Sequence, residues 1–140
     1  MDKFLGIDFG AVRIGIAISD YTKTIAFGRE FIRNDNSSLT SIRSIAETEN
    51  ISKIILGYPV NLKGEKTKQT LEVEAFEDKL MKIFEGKIIE IIRWDERFTS
   101  KIAQESMLES GMRKKKRQQK GNIDIISAAL LLQSYLDSKK

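Results

Sequence analysis

The sequence predicts an α/β fold: a five-stranded mixed sheet, three antiparallel strands then two parallel ones, with helices on both faces. Three observations predict it. The stretch from Lys3 to about Arg33 holds three apolar, β-branched runs joined by turns too short for anything but antiparallel neighbours. Two later apolar runs each follow a segment of helical spacing, the signature of a parallel crossover. The chain then closes on an apolar helical run whose paired alanines, Ala128 and Ala129, let it lie close against a sheet.

The first strand is Phe4 to Gly10, an apolar run broken by one carboxylate, Asp8, after which Gly10 permits a turn into the second strand, Ile14 to Ile18. A polar turn, Asp20 to Lys23, leads to a third strand from Thr24 to Ile32. Capping residues in Asn34 to Ser38 precede a first helix over Ser38 to Glu49, and Ile51 to Gly57 reads as a buried fourth strand. The next stretch, Gly57 to Gly64, holds the only proline and two of the nine glycines, so it forms a loop at the carboxyl end of that strand. Open α/β sheets bind ligands at such ends. A long helix over about Glu65 to Phe84 follows, with Leu71, Ala75, Phe76, Leu80, Ile83 and Phe84 expected inward and Gly86 ending it. The fifth strand, Lys87 to Trp94, runs into Asp95-Glu96-Arg97-Phe98-Thr99-Ser100, where Thr99 or Ser100 caps a helix through about Ser110. The last helix covers Asn122 to about Leu136, with Asp124 in its first turn. This order of elements is that of a ribonuclease H-like domain, and at 140 residues a single domain spanning 1–140 is expected.

Two absences narrow the chemistry. With no cysteine there is no thiolate nucleophile, no disulfide and no sulfur-ligated zinc; with no histidine there is no imidazole base and no Ser-His-Asp triad. If the protein is an enzyme, its chemistry has to run on carboxylates, Lys, Tyr, Ser or a metal held by oxygen ligands. The N-terminus lacks the basic stretch and apolar core of a signal peptide, and no apolar run approaches the roughly 20 residues that span a bilayer. The expected location is cytoplasmic, with no membrane partner.

Asp8, Asp95-Glu96 and Asp124 come from three separated elements. Alone, each has an ordinary use: an acid at a strand end, a polar exit from a strand, a first-turn acid favoured by the helix dipole. Together they suggest carboxylates that converge on one point, where they repel one another unless a cation or a shared proton intervenes. Hard oxygen ligands favour Mg²⁺ or Mn²⁺, and two-metal phosphoryl chemistry needs no histidine base.

The net charge of +4 has a local origin. Residues 111 to 121 read GMRKKKRQQKG, with Arg113, Lys114, Lys115, Lys116, Arg117 and Lys120 and no acid; without those six of the 24 basic residues, 18 face 20 acidic ones. A run of cations just before Asp124 attracts phosphates with strong salt dependence, though such a run can also be a solvated face. Arg13 and Arg97 either clamp phosphate or balance carboxylates. Tyr58 and Trp94 could stack on bases, with burial the commoner use of tryptophan.

Four stretches, LGIDFGAVRIGIAISD, ILGYPVNLKG, DERFTS and RKKKRQQKGNIDIISAALLLQSYLD, resemble in order the YqgF family, also called the Holliday junction resolvase-like or pre-16S rRNA nuclease family. The resemblance implies a ribonuclease H-like fold and a divalent-metal nuclease acting on structured nucleic acid, pre-rRNA or branched DNA, as monomer or homodimer. It carries Asp8, Glu96 and Asp124 over as the catalytic, metal-holding acids, with Asp95 the neighbouring alternative to Glu96. The charge pattern itself, apart from the resemblance, offers Arg13, Arg97, Arg113, Lys114, Lys115, Lys116 and Arg117 as the nucleic-acid contacts. The family often has an Asp before Gly in the middle loop; here Lys63-Gly64 stands instead. The alternative is a non-catalytic nucleic-acid or ribosome-binding module of the same fold. The stretch Gly6 to Gly10 also looks like the first phosphate loop of actin-like ATPases, whose nucleotide site needs two such domains.

Overall fold

A computed structural model describes residues 1–99 and 120–140. The described elements are β1 (Lys3–Phe9), β2 (Arg13–Ser19), β3 (Ala26–Arg33), α1 (Ser38–Thr48), β4 (Ile51–Tyr58), α2 (Lys68–Ile83), β5 (Glu90–Asp95), a 3-10 turn (Glu96–Phe98) and α3 (Lys120–Ser138). The sheet order is β3-β2-β1-β4-β5, antiparallel among β1, β2 and β3 and parallel from β1 through β4 to β5. The expected sheet is therefore the observed one. The expected helix through Ser110, and the basic residues Arg113 to Arg117, lie outside the described residues.

The two faces of the sheet are chemically unlike because side chains alternate along each strand. Leu5 and Ile7 of β1, Ile14, Ile16 and Ile18 of β2, and Ile54 and Leu56 of β4 point to one face, where Ile42, Ile45 and Ala46 of α1 and Val73, Phe76 and Leu80 of α2 cover them. The intervening positions face α3, and beside Phe4 and Ile55 many of them are small: Gly6, Gly15, Ala17, Gly28 and Gly57. A methyl group on Gly15 would fall onto the backbone carbonyl of Asp124, and one on Gly6 would stand 2.8 Å from Cβ of Leu132. Helix α3 thus rests on backbone, with Ala128, Leu132, Tyr135 and Leu136 buried beneath it. Asp8, two residues on from Gly6, shares this α3 face.

Four elements start two or three residues away from the sequence reading. Helix α2 starts at Lys68, because Thr67 and Thr70 form a reciprocal capping box and the Thr70 hydroxyl donates to the Pro59 carbonyl. Its inward face is Thr70, Val73, Phe76, Glu77 and Leu80, while Leu71 is 58% exposed and Ala75 is also exposed. The apolar stripe misled because one inward position is a carboxylate: Glu77 is held by two hydrogen bonds from Arg93 of β5, at 2.9 and 2.7 Å. Strand β5 starts at Glu90, which pairs with Lys53, leaving Ile88 fully exposed before it. Strand β3 starts at Ala26, since the Asp20 carboxylate holds the amides of Thr24 and Ile25 in a turn. Helix α3 begins at Lys120, two residues before the expected Asn122.

Gly15→Ala should destabilise the protein by about 1–3 kcal/mol, the usual cost of overpacking a close contact, because the obstructing atom is backbone. Urea denaturation of the two proteins would show it, and an unchanged midpoint would mean that α3 does not rest on β2 as described.

Candidate functional site

The site lies where the carboxyl ends of β1 and β5 meet the first turns of α3. Asp8 sits on the central strand opposite Gly15. On β5, Ile92 and Trp94 face α3, and Glu96, next in the same alternation, enters the 3-10 turn on that side. Gly57 of β4, paired with Trp94, provides the space: a Cβ there would lie 2.7 Å from Oε1 of Glu96.

Asp8 and Glu96 meet through a side-chain hydrogen bond in a cavity of about 130 Å³ that Thr99, Ser127, Leu130 and Leu131 also line. Burial, first, and then the negative charge of Glu96 and of Asp124, push the Asp8 carboxyl up to about 8. Burial raises Glu96 as well, opposed by its bond to Asp8. The pair therefore shares a proton near neutral pH, as two crowded carboxylates must when no cation compensates them.

Asp124 reaches the same region by a different tie. Its Oδ2 accepts a 2.7 Å hydrogen bond from Nε of Arg13, and both side chains are about a quarter exposed. Among the described residues, no three acidic side chains converge tightly enough to hold one ion: Asp8 and Glu96 touch, and Asp124 stands beside them, neutralised by Arg13. Asp95 points elsewhere. It caps the amide of Arg97 and pairs with the Arg97 guanidinium at 2.6 Å, which keeps its carboxyl below the ordinary value. Of the two adjacent acids, Glu96 is the one that meets Asp8.

The two arginines singled out in the sequence both balance carboxylates here. Arg97 also lies against Gly64, with Nη1 3.5 Å from the Leu62 carbonyl, and so ties the middle loop to the end of β5. Tyr58 and Trp94 are engaged as well. Arg93 stacks on the Tyr58 ring at 4.7 Å, while Trp94 donates to Ser134 and meets Tyr135 edge-on. Sequence reasoning passed over Ser127, three residues and so about one turn from Asp124, and took Thr99 only as a helix cap; spacing from Asp124 and from Glu96 was the available signal.

A larger open groove of about 590 Å³ lies on the opposite face, between Phe9, Asn34, Leu39, Glu72 and Lys79. Its shifted group is Asp35, lowered by ordinary turn hydrogen bonds from Ser37, whereas the small cavity holds two carboxylates raised by burial, which makes the small cavity the better candidate.

Sheet order, crossovers and paired acids define a ribonuclease H-like α/β protein. Solved structures of this fold include Thermus thermophilus RuvC in complex with a Holliday junction substrate, with a TM-score of 0.66 at 9% identity over 100% of this chain and 98% of that one. Another is the yeast mitochondrial Holliday junction resolvase Ydc2, at 0.60 and 14% over 96% and 78%. At such identities the likeness is one of fold. The family described as "RuvX: Holliday junction resolvase" matches residues 2–138, and the chain belongs to that family. Two relatives carry the name "Putative pre-16S rRNA nuclease". The one from Flavobacterium psychrophilum is 40% identical over 139 residues, 99% of each chain. The one from a Sulfurihydrogenibium species is 41% identical over 137 residues, 98% of this chain and 91% of the relative. No helix among the described residues is long and apolar enough to cross a membrane.

The displaced Asp8 group fixes the sign of a pH effect. Folded Asp8 keeps its proton up to about 8, against an ordinary 3.8. The contribution of Asp8 to the stability of the metal-free protein is therefore fully present below the ordinary value and is lost as pH rises from there through about 8. Asp8→Asn should escape that loss. In chelator at pH 8 it should be more stable than the parent by about 1–3 kcal/mol, once solvent screening is allowed for, and no more stable at pH 4. Melting curves at the two pH values measure this, and an Asp8→Asn protein less stable than the parent at both would contradict the shared-proton account.

Proposed function

We propose that this protein is a divalent-cation-dependent nuclease hydrolysing phosphodiester bonds in structured nucleic acid. The observation that carries the reading is the buried Asp8–Glu96 pair, two carboxylates held together in an apolar sheet with Asp124 beside them. Structure of that kind costs stability and has no packing purpose.

The donor set suits a hard cation: carboxylate oxygens from three elements, a small polar cavity, and no histidine or cysteine anywhere in the chain. Asp8 and Glu96 would hold Mg²⁺ or Mn²⁺, with Asp124 joining them once it leaves Arg13, and the ion when bound supplies charge stabilisation at phosphorus and a more acidic water. Arg13 orients Asp124 and stands ready to meet a phosphate. Arg97 holds Asp95 away from the site and fixes the middle loop. The run Arg113, Lys114, Lys115, Lys116 and Arg117 draws the polyanion to the first turn of α3.

The relatives' name favours precursor 16S rRNA as substrate, and the family description favours a branched DNA junction. A single domain over 1–140 acting in the cytoplasm suits the first. Trimming an RNA end needs a monomer only; cutting two strands of a junction suits a homodimer.

Precursor 16S rRNA fragments and synthetic four-way junctions, each incubated with the protein in Mg²⁺ and in Mn²⁺, separate the two substrates. Cleavage is expected only with the cation. It should fall at least about 100-fold in Asp8→Asn, Glu96→Gln and Asp124→Asn, the scale of losing several kcal/mol of charge stabilisation. Cleavage unchanged by these substitutions overturns the assignment, and salt-sensitive binding without turnover would mark a binding module instead. Replacing Lys114, Lys115, Lys116 and Arg117 by Gln should weaken binding to all sequences alike. It should also flatten the salt dependence by about 0.9 log units for each phosphate that is no longer neutralised, as filter binding between low and moderate salt would read.

A further inference from the structure

Thr99 is the one described residue whose buried side-chain oxygen has no hydrogen-bond partner among the described residues. An orphaned buried hydroxyl is costly, and native structures keep few of them without a use. Its position is specific. The 3-10 turn that follows β5 closes with the Thr99 amide donating to the Glu96 carbonyl at 3.0 Å. Residues three apart in such a turn stand on the same side, so Thr99 sits over Glu96, and both line the cavity that holds Asp8. The turn is pinned from outside: Ser134 of α3 donates to the Phe98 carbonyl at 3.2 Å and accepts from Trp94 at 3.1 Å. The hydroxyl is thus held beside the acid pair by a rigid frame, while the Glu96 carboxylate is engaged with Asp8.

Building on the proposed cation site, we infer that Thr99 is a positioning residue whose hydroxyl donates to the Glu96 carboxylate once that carboxylate turns from Asp8 to a bound divalent cation. A carboxylate ligand needs an outer donor to fix its orientation, and among the described residues Thr99 supplies a buried, unpaired hydroxyl in the cavity wall. The residue touches neither substrate nor reacting atoms; it acts through Glu96. The missing bond in the metal-free protein is then a bond reserved for the loaded one.

Titration calorimetry with Mn²⁺ alone on the full chain, beside melting curves in chelator, tests this with Thr99→Val, Thr99→Ser and Asp8→Asn. Thr99→Val keeps the shape and removes the hydroxyl. It should melt in chelator at or above the parent temperature, since no bond is lost, yet bind Mn²⁺ about tenfold more weakly, in the range for removing an outer partner of a metal ligand. Thr99→Ser should restore affinity to within about threefold of the parent. Parent-like affinity in Thr99→Val, weak binding in Thr99→Ser, or a clear drop in the chelator melting temperature of Thr99→Val would each overturn the inference. A parent protein that takes up no Mn²⁺, or an Asp8→Asn protein that binds it undiminished, would bring down the cation site itself and Thr99's role with it.

Discussion

A carboxylate in the central strand of an apolar sheet sets the conditions that the rest of the molecule meets. Asp8 stands on β1, flanked by paired strands on both sides and backed by isoleucine and leucine on the opposite face. Such a group cannot carry an uncompensated charge without a large penalty. The structure answers with Glu96, which meets it through a shared hydrogen bond and so lets the pair stay partly protonated. That answer demands a second strand end at the right depth, which the parallel crossover from β4 to β5 supplies. It also demands an absent side chain at Gly57, where a methyl group would occupy the space of the Glu96 carboxylate.

The same face explains the last helix. Where α1 and α2 cover branched aliphatic side chains, α3 covers glycines, so its backbone comes down almost onto the sheet. Close approach brings Asp124 within reach of Arg13 and near enough to Asp8 to raise its proton affinity. A bulkier residue at position 15 would lift the helix and the acid together. Packing and site geometry are one property here, and the glycines that look like weak points in a strand are what place the third carboxylate.

Much of this is legible in the residues. The three opening strands, both crossovers and the closing helix follow from periodicity and turn chemistry, and Asp8 stands out because one charge interrupts an apolar run. Two features resist that reading for physical reasons. The inward face of α2 includes Glu77, tied to Arg93 from a strand far along the chain, and periodicity counts apolar residues without seeing partners. The choice between Asp95 and Glu96 depends on which face α3 covers: alternation puts Glu96 with Trp94, but only the packed helix shows that this is the side of Asp8. Thr99 is harder still, since an unpaired hydroxyl is visible only once its neighbours are in place.

Charge distribution decides how a polyanion could use such a site. Arg13 and Arg97 are both committed to carboxylates, so a phosphate that recruits either one leaves Asp124 or Asp95 uncompensated. For Asp95, next to the strand end and pointed away from the cavity, that exchange brings no return. For Asp124 the balance changes if a cation takes over the charge that Arg13 now cancels, because the arginine is then released toward the phosphate at no net electrostatic loss. Under the proposed function, binding of cation and of nucleic acid would therefore favour each other through one ion pair, and each would shift the other's affinity by the same factor. The positive excess of the sequence lies in the run just before Asp124, so under the proposed function the residues that attract the polyanion adjoin one member of that ion pair in the chain.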